Sequence, residues 1–158
     1  MYKVGDHIVY PMHGAGIIRA IEEKEILDNR QMYYDVHILS ENMEILIPTE
    51  KAEEIGVRRT VTPEELTAIL EGLVGPMDKM DSNWNRRCQE NMERLKTGKL
   101  GEAVWVVRNL TLLERQKGLS TGEKKLLTSA RNFLASEMVM VKDIDKDQAI
   151  KIIENTIE

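Results

Sequence analysis

Thr62-Pro63-Glu64-Glu65 divides this chain into two parts of different kind. Threonine caps a helix well, and proline suits the first helical position because its missing N–H would have no partner there. Glu65 stands where a capping-box carboxylate reaches back to the cap N–H. Leu66, Ile69, Leu70 and Leu73 follow at helical spacing, so a helix starts here. Downstream the chain keeps helical periodicity to its end. Upstream, as far as Pro48, it alternates like strands.

Gly75-Pro76 breaks the first helix, and a polar loop leads to the second, for which Ser82 is the expected N-cap. Trp84, Cys88, Met92 and Leu95 give that helix an apolar stripe, and Gly98 ends it. A third helix is expected from about Lys99 to Lys117, with a main stripe of Leu100, Ala103, Val104, Val107, Leu110 and Leu113. Trp105, Val106 and Leu112 spill onto its other faces. A helix apolar over most of its circumference is buried, so this one reads as the bundle centre and Trp105 as core. Ser120 to Glu123 forms a second capping box, opening a helix packed through Leu126, Leu127, Ala130, Phe133, Leu134, Met138 and Val141. Asp145 to Gln148 caps a last short helix that ends near Ile157.

Before the divide, Val4, Ile8 and Tyr10 alternate with polar residues, and His13-Gly14-Ala15-Gly16 reads as a turn. Ile17 to Ile21 resumes an apolar run, which Asp28-Asn29-Arg30 breaks. In the run from Met32 to Leu39, Tyr34, Val36 and Ile38 share one face, with Tyr33, Asp35 and His37 on the other. After Ser40-Glu41-Asn42, Met43 to Ile47 forms a strand that Pro48 ends. Short strands joined by short turns suggest a small antiparallel β-barrel. The expected fold is α+β: a barrel in residues 1–59, with 49–61 as its connector, then an all-α helical bundle in residues 60–158.

The chain has 158 residues, a net charge of −5 and one cysteine. A lone Cys88 makes no internal disulfide, and with no signal-peptide pattern at the start the natural setting is a reducing cytoplasm. No apolar run is long enough to span a bilayer. His7, His13, His37 and Cys88 have no metal-site spacing, so no metal or cofactor is expected. Charge is segregated. In residues 1–59 seven cations stand against eleven acids, while from Trp84 to Arg131 eleven cations stand against five. A basic middle in an acidic protein suggests one localised anion-facing surface, unless the charges are spread around several helices.

Ser82-Asn83-Trp84-Asn85-Arg86-Arg87 carries the sharpest choice. In one reading Trp84 is a core anchor and the arginines are its solvated neighbours. In the other the indole is exposed and the arginines face phosphates, since an apolar wedge flanked by cations is how minor-groove proteins open a base step. Spacing leaves both open. Lys124 and Lys125 in the first turn of their helix sit unfavourably against its dipole, a weak hint of an external anion. No phosphate loop, nucleophile elbow or metalloprotease pair is present. Cys88 lies on an apolar stripe, where a buried, inert thiol is expected, so no enzyme is expected.

The opening Lys3-Val4-Gly5-Asp6-His7-Ile8-Val9-Tyr10-Pro11-Met12-His13-Gly14 resembles the start of the CarD/CdnL transcription regulators. Asn83-Trp84-Asn85-Arg86-Arg87 and Gly118-Leu119-Ser120-Thr121-Gly122-Glu123-Lys124 resemble that family too, in the same order over essentially the whole chain. The resemblance implies a Tudor-like barrel that docks on the β subunit of bacterial RNA polymerase. It implies a helical bundle that meets promoter DNA at the upstream edge of the bubble without reading sequence. Trp84 would be the minor-groove wedge that stabilises the open complex. Arg86, Arg87 and Lys124 would face the DNA backbone, and Lys24 falls at a basic position of the polymerase face. Some members carry arginine where this sequence has Leu46, so that contact is expected to be less ionic here or placed on other residues. The implied protein is a cytoplasmic monomer, associated with the nucleoid through polymerase. The alternative is a protein–protein adaptor whose barrel docks polymerase or another protein and whose bundle never touches DNA.

Overall fold

The computed structural model describes residues 1–157. Its first part is a single antiparallel sheet of β1 (His7–Tyr10), β2 (Gly14–Ile26), β3 (Asn29–Ile38), β4 (Met43–Pro48) and β5 (Arg58–Arg59), in the order β4-β3-β2-β1-β5. The sheet is not closed. The expected barrel is a barrel-like sheet with β4 and β5 at its edges, a form compatible with a Tudor-like fold.

Register explains which residues face inward. Val36 lies opposite Ile18 and Ile45, and Tyr34 opposite Ile21 and Ile47. Ile8, Ile18, Tyr34, Val36, Ile38 and Ile47 form the inner core, as the alternation predicts. Gly16 sits where a Cβ would meet the His37 carbonyl at 2.7 Å, so only glycine lets β2 pass there. A bulge at Arg19 shifts the register, and beyond it the two strands run out as a long hairpin. Its turn is at Leu27-Asp28, both with positive φ, one step before the expected Asp28-Asn29-Arg30 break.

Two expectations fail here. Val4 lies in an exposed turn and the first strand starts only at His7. The connector is not structureless: it holds α1 (Ala52–Ile55) and β5, which pairs with β1 through Ile8 and Val9. A two-residue strand exists only because β1 offers it a ladder, so no local pattern announces it.

The second part is a bundle of α2 (Pro63–Leu70), α3 (Trp84–Lys96), α4 (Leu100–Gln116), α5 (Thr121–Lys142) and α6 (Lys146–Thr156), with a 3-10 turn at Glu71–Leu73. The capping boxes at Thr62/Glu65 and Ser120/Glu123 form as read, and a third forms at Asp145/Gln148. Gly98 and Gly118 take positive φ at helix ends. Central helix α4 buries Leu100, Ala103, Val104, Val106, Val107 and Leu110 against α5 and α2. Val9 and Ala15 of the sheet join the same core, so the two parts share a packed interface.

Candidate nucleic-acid interface

Asn83, not Ser82, caps α3. Its side chain accepts from the N–H groups of Asn85 and Arg86, and its own N–H donates to Asp81 Oδ1 at 2.8 Å. Both residue types cap well; the Asp81 bond favours the later one. Trp84 thereby becomes the first residue of the helix, one position past its cap.

The loop before it is fastened by three side chains from two helices. Buried Asn109 of α4 accepts from the Asp78 N–H at 2.7 Å and donates to the Trp105 carbonyl. Arg108 donates to the Gly72 carbonyl and to the Asp78 carboxylate. Arg87 donates to the Asp81 carbonyl at 3.1 Å. A helix start held this way aims its first side chain without that side chain being packed. Trp84 is 53% exposed. It therefore fits the exposed-indole reading and not that of an ordinary core anchor.

Trp105 departs from the expectation in the other direction. It is only partly buried, with the Arg94 guanidinium stacked over its ring 3.8 Å from the centroid. Arg94 is held in turn by Glu102 at 3.1 Å. The cation covers what α4 leaves uncovered.

Arg86, Arg87 and Lys124 fare differently. Arg86 stays exposed, in a loose 3.5 Å pair with Asp81. Lys124 is exposed and takes part in none of the ion pairs among the described residues. Arg87 is already engaged. It makes a two-bond fork to Glu123, at 2.6 and 2.9 Å, and Glu123 is fully buried at the start of α5. Burial raises the Glu123 carboxyl, but the Arg87 guanidinium and the Ser120 hydroxyl and N–H more than offset it, holding it below the ordinary carboxylate value. The fork to Glu123 likewise raises the Arg87 guanidinium. Arg87 thus ties the start of α3 to the start of α5, which brings Trp84 and Lys124 to one end of the bundle. The phosphate role expected of Arg87 meets a guanidinium with most of its donors already engaged.

Sequence reading missed two cations at this end. A groove of about 610 Å³ has Trp84 on its rim and is lined by Lys79 and exposed Lys117 together with Met77, Met80 and Leu113. Lys117 follows the α4 stripe and had no local mark beyond its charge. Cys88 lies one turn below Trp84, where burial raises its thiol and disfavours the reactive thiolate. No group of three or more His, Cys, Asp or Glu able to hold a metal occurs among the described residues, and no helix is long and apolar enough to cross a membrane.

On the sheet, Lys24 and Leu46 lie on the same outer face, because Gln31, opposite Lys24, and Asp35, opposite Leu46, fall on one side of β3. Lys24 is half-buried, 3.4 Å from Glu22. Leu46 is exposed on edge strand β4. Asp35 between them has a buried oxygen with no hydrogen-bond partner, and burial followed by the nearby Glu44 raises its carboxyl.

A barrel-like sheet with one exposed mixed face, joined to a bundle that presents a bare indole among cations, has the build of a two-domain transcription regulator. The comparisons agree. The family described as CarD, C-terminal domain, matches residues 68–154, and the one described as CarD-like/TRCF RID domain matches residues 2–61. YdeB of Bacillus subtilis (strain 168), whose name marks it as a candidate transcription factor, is 40% identical over 149 residues, covering 94% of this chain and 97% of its own. The solution NMR structure of the 72-residue N-terminal domain of Myxococcus xanthus CarD is 29% identical and spans 37% of this chain and 79% of that one, with a TM-score of 0.33. The chain belongs to the CarD-like family.

Proposed function

We propose that this protein docks on the β subunit of bacterial RNA polymerase through the outer sheet face around Lys24 and Leu46, and stabilises the open promoter complex by wedging Trp84 into the minor groove at the upstream edge of the bubble. It works without cofactor or catalysis, in the cytoplasm and as a monomer. The observation that carries the reading is Trp84: half-exposed at the first position of a helix whose start is pinned, with exposed Arg86, Lys117 and Lys124 at the same end of the bundle.

The charge pattern supports it. A protein of net charge −5 with few phosphate contacts holds free DNA weakly and loses it with salt. Tethered to polymerase, the same surface meets DNA at an effective concentration of order mM. Stacking of roughly 1–3 kcal/mol then shifts a near-balanced melting equilibrium by about 5- to 150-fold.

The test is open-complex lifetime on a poorly melting promoter with the cognate polymerase. Wild type lengthens it, and Trp84→Ala abolishes most of that effect while keeping polymerase binding. A lifetime lengthened equally by both proteins would remove Trp84 from the mechanism. No effect from either, with docking intact, would point to the adaptor.

A further inference from the structure

The sheet and the bundle are joined by more than apolar contact. Glu137, in the middle of α5, is fully buried. A carboxylate at that depth persists only when paired and hydrogen-bonded. All three of its hydrogen bonds lead away from the bundle. Arg58 of β5 grips it with two donors, at 2.7 and 2.9 Å, and the Val61 N–H of the linker donates at 2.8 Å. The same guanidinium donates through Nε to the Gly98 carbonyl, in the turn between α3 and α4, at 3.0 Å. One arginine on the sheet therefore holds two separate places in the bundle.

The neighbouring residue repeats the pattern from another strand. Ser136 Oγ accepts from the Ala15 N–H of β2 at 3.0 Å and donates to the Phe133 carbonyl at 2.7 Å. A Cβ on Gly14 would stand 2.5 Å from that oxygen, so the strand approaches α5 as closely as it does because Gly14 has none. Pro11 presses on Gly98 in the same way, 3.0 Å from where a Cβ would be.

We infer that Arg58 and Glu137 are a positioning pair that fixes the wedge relative to the docking face. The inference rests on the proposed function and names how its two surfaces act as one. Apolar contact is non-directional, and two packed faces can slide. A two-bond guanidinium–carboxylate fork is directional, and in a buried interface every misaligned orientation strands a charge. Docking of the sheet then specifies where Trp84 stands, because the turn that Arg58 holds at Gly98 closes α3, the helix that Trp84 opens. Loosening the pair lets the bundle wander on its tether. Doubling the linear spread of the wedge in three dimensions lowers its effective concentration at the fork by about eight-fold.

The experiment uses the full chain with Glu137→Gln, Arg58→Lys and the milder Ser136→Ala. Spin labels are placed at exposed Glu50 and Glu154 through Glu50→Cys and Glu154→Cys in a Cys88→Ala background, and the distance distribution between them is measured. Polymerase binding and open-complex lifetime are measured on the unlabelled variants, after thermal melting shows each folded. Glu137→Gln should broaden the distance distribution and cut the lifetime gain several-fold with polymerase binding kept. Arg58→Lys, which keeps the charge but not the fork, should fall between it and wild type. Ser136→Ala serves the same comparison if Glu137→Gln does not fold. A lost lifetime with an unchanged distance distribution would overturn the positioning role, as would a broadened distribution with a full lifetime gain. If wild type itself neither binds polymerase nor lengthens the lifetime, the functional reading fails, and with it the positioning role.

Discussion

Arg87→Ala separates two fates for one arginine. In the structure its guanidinium forks onto Glu123, which is fully buried, and also holds the Asp81 carbonyl. Removing the arginine strands a buried carboxylate, at a cost of about 3–5 kcal/mol. For a chain of this length that lowers the melting temperature by about 6–20 °C. The double variant Arg87→Met/Glu123→Leu removes both charges together. It should lose only the carboxylate half of the α5 capping box and the Asp81 anchor, about 1–2 kcal/mol, because a buried pair replaced by apolar groups is close to neutral. The assays are thermal and urea unfolding of the full chain, with affinity for fork-junction DNA measured across a salt series. An arginine that contacts no phosphate leaves the salt slope unchanged, whereas a lost phosphate contact reduces it by about 0.9. A melting shift under about 2 °C together with a slope reduced by about 0.9 would make Arg87 a DNA ligand and not a tie between helices.

Glu123 also fixes an acid response. Its folded-state carboxyl lies below the ordinary value of about 4.3, so its contribution is complete above that pH and is lost as pH falls through the folded value. Urea midpoints of wild type should therefore drop more steeply below about pH 4 than those of Glu123→Gln. Cys88, with its thiol raised by burial, should react slowly with a thiol reagent in the native protein at pH 7 and rapidly after unfolding; equally fast labelling of both would show an open thiol. Gly14→Ala places a Cβ at positive φ and 2.5 Å from Ser136 Oγ, so urea unfolding should show a loss of at least about 2 kcal/mol, and a loss under about 0.5 kcal/mol would contradict the close approach.

What the sequence disclosed was local, and what it hid was long-range. Thr62/Glu65 and Ser120/Glu123 are readable because a capping box closes within one helical turn. The stripe of α4 is readable because burial imposes its own period. Arg87 and Glu123 are 36 residues apart, and Arg58 and Glu137 are 79 apart. No spacing rule links such partners; only the folded chain brings them together. That distance is why Arg87 read as a free cation beside Trp84, and why β5 read as connector. Trp105 departs from the core expectation for a related reason. Its helical face was apolar enough to suggest core, but the covering group is Arg94 from another helix.

The fate of Arg87 bears on how the proposed wedge works. Three exposed lysines around Trp84, Lys79, Lys117 and Lys124, take part in none of the ion pairs among the described residues, and Arg86 is held only loosely by Asp81. Three phosphate contacts give a salt slope of about −2.7, a loss of about 40-fold in affinity between 50 and 200 mM salt. Spending Arg87 on Glu123 thus gives up roughly a quarter of the available electrostatic affinity. In exchange it joins the start of α3 to the start of α5, so that the indole and Lys124 keep one spacing. For a protein searching DNA alone this would be a poor exchange. For one delivered by polymerase the local concentration is supplied by the tether, and the limiting quantity is how accurately the indole meets the base step. Arg87→Met/Glu123→Leu, which removes the fork and leaves the sheet face intact, should therefore keep its occupancy on polymerase and lose much of the gain in open-complex lifetime. Both quantities can be read from the same polymerase preparation.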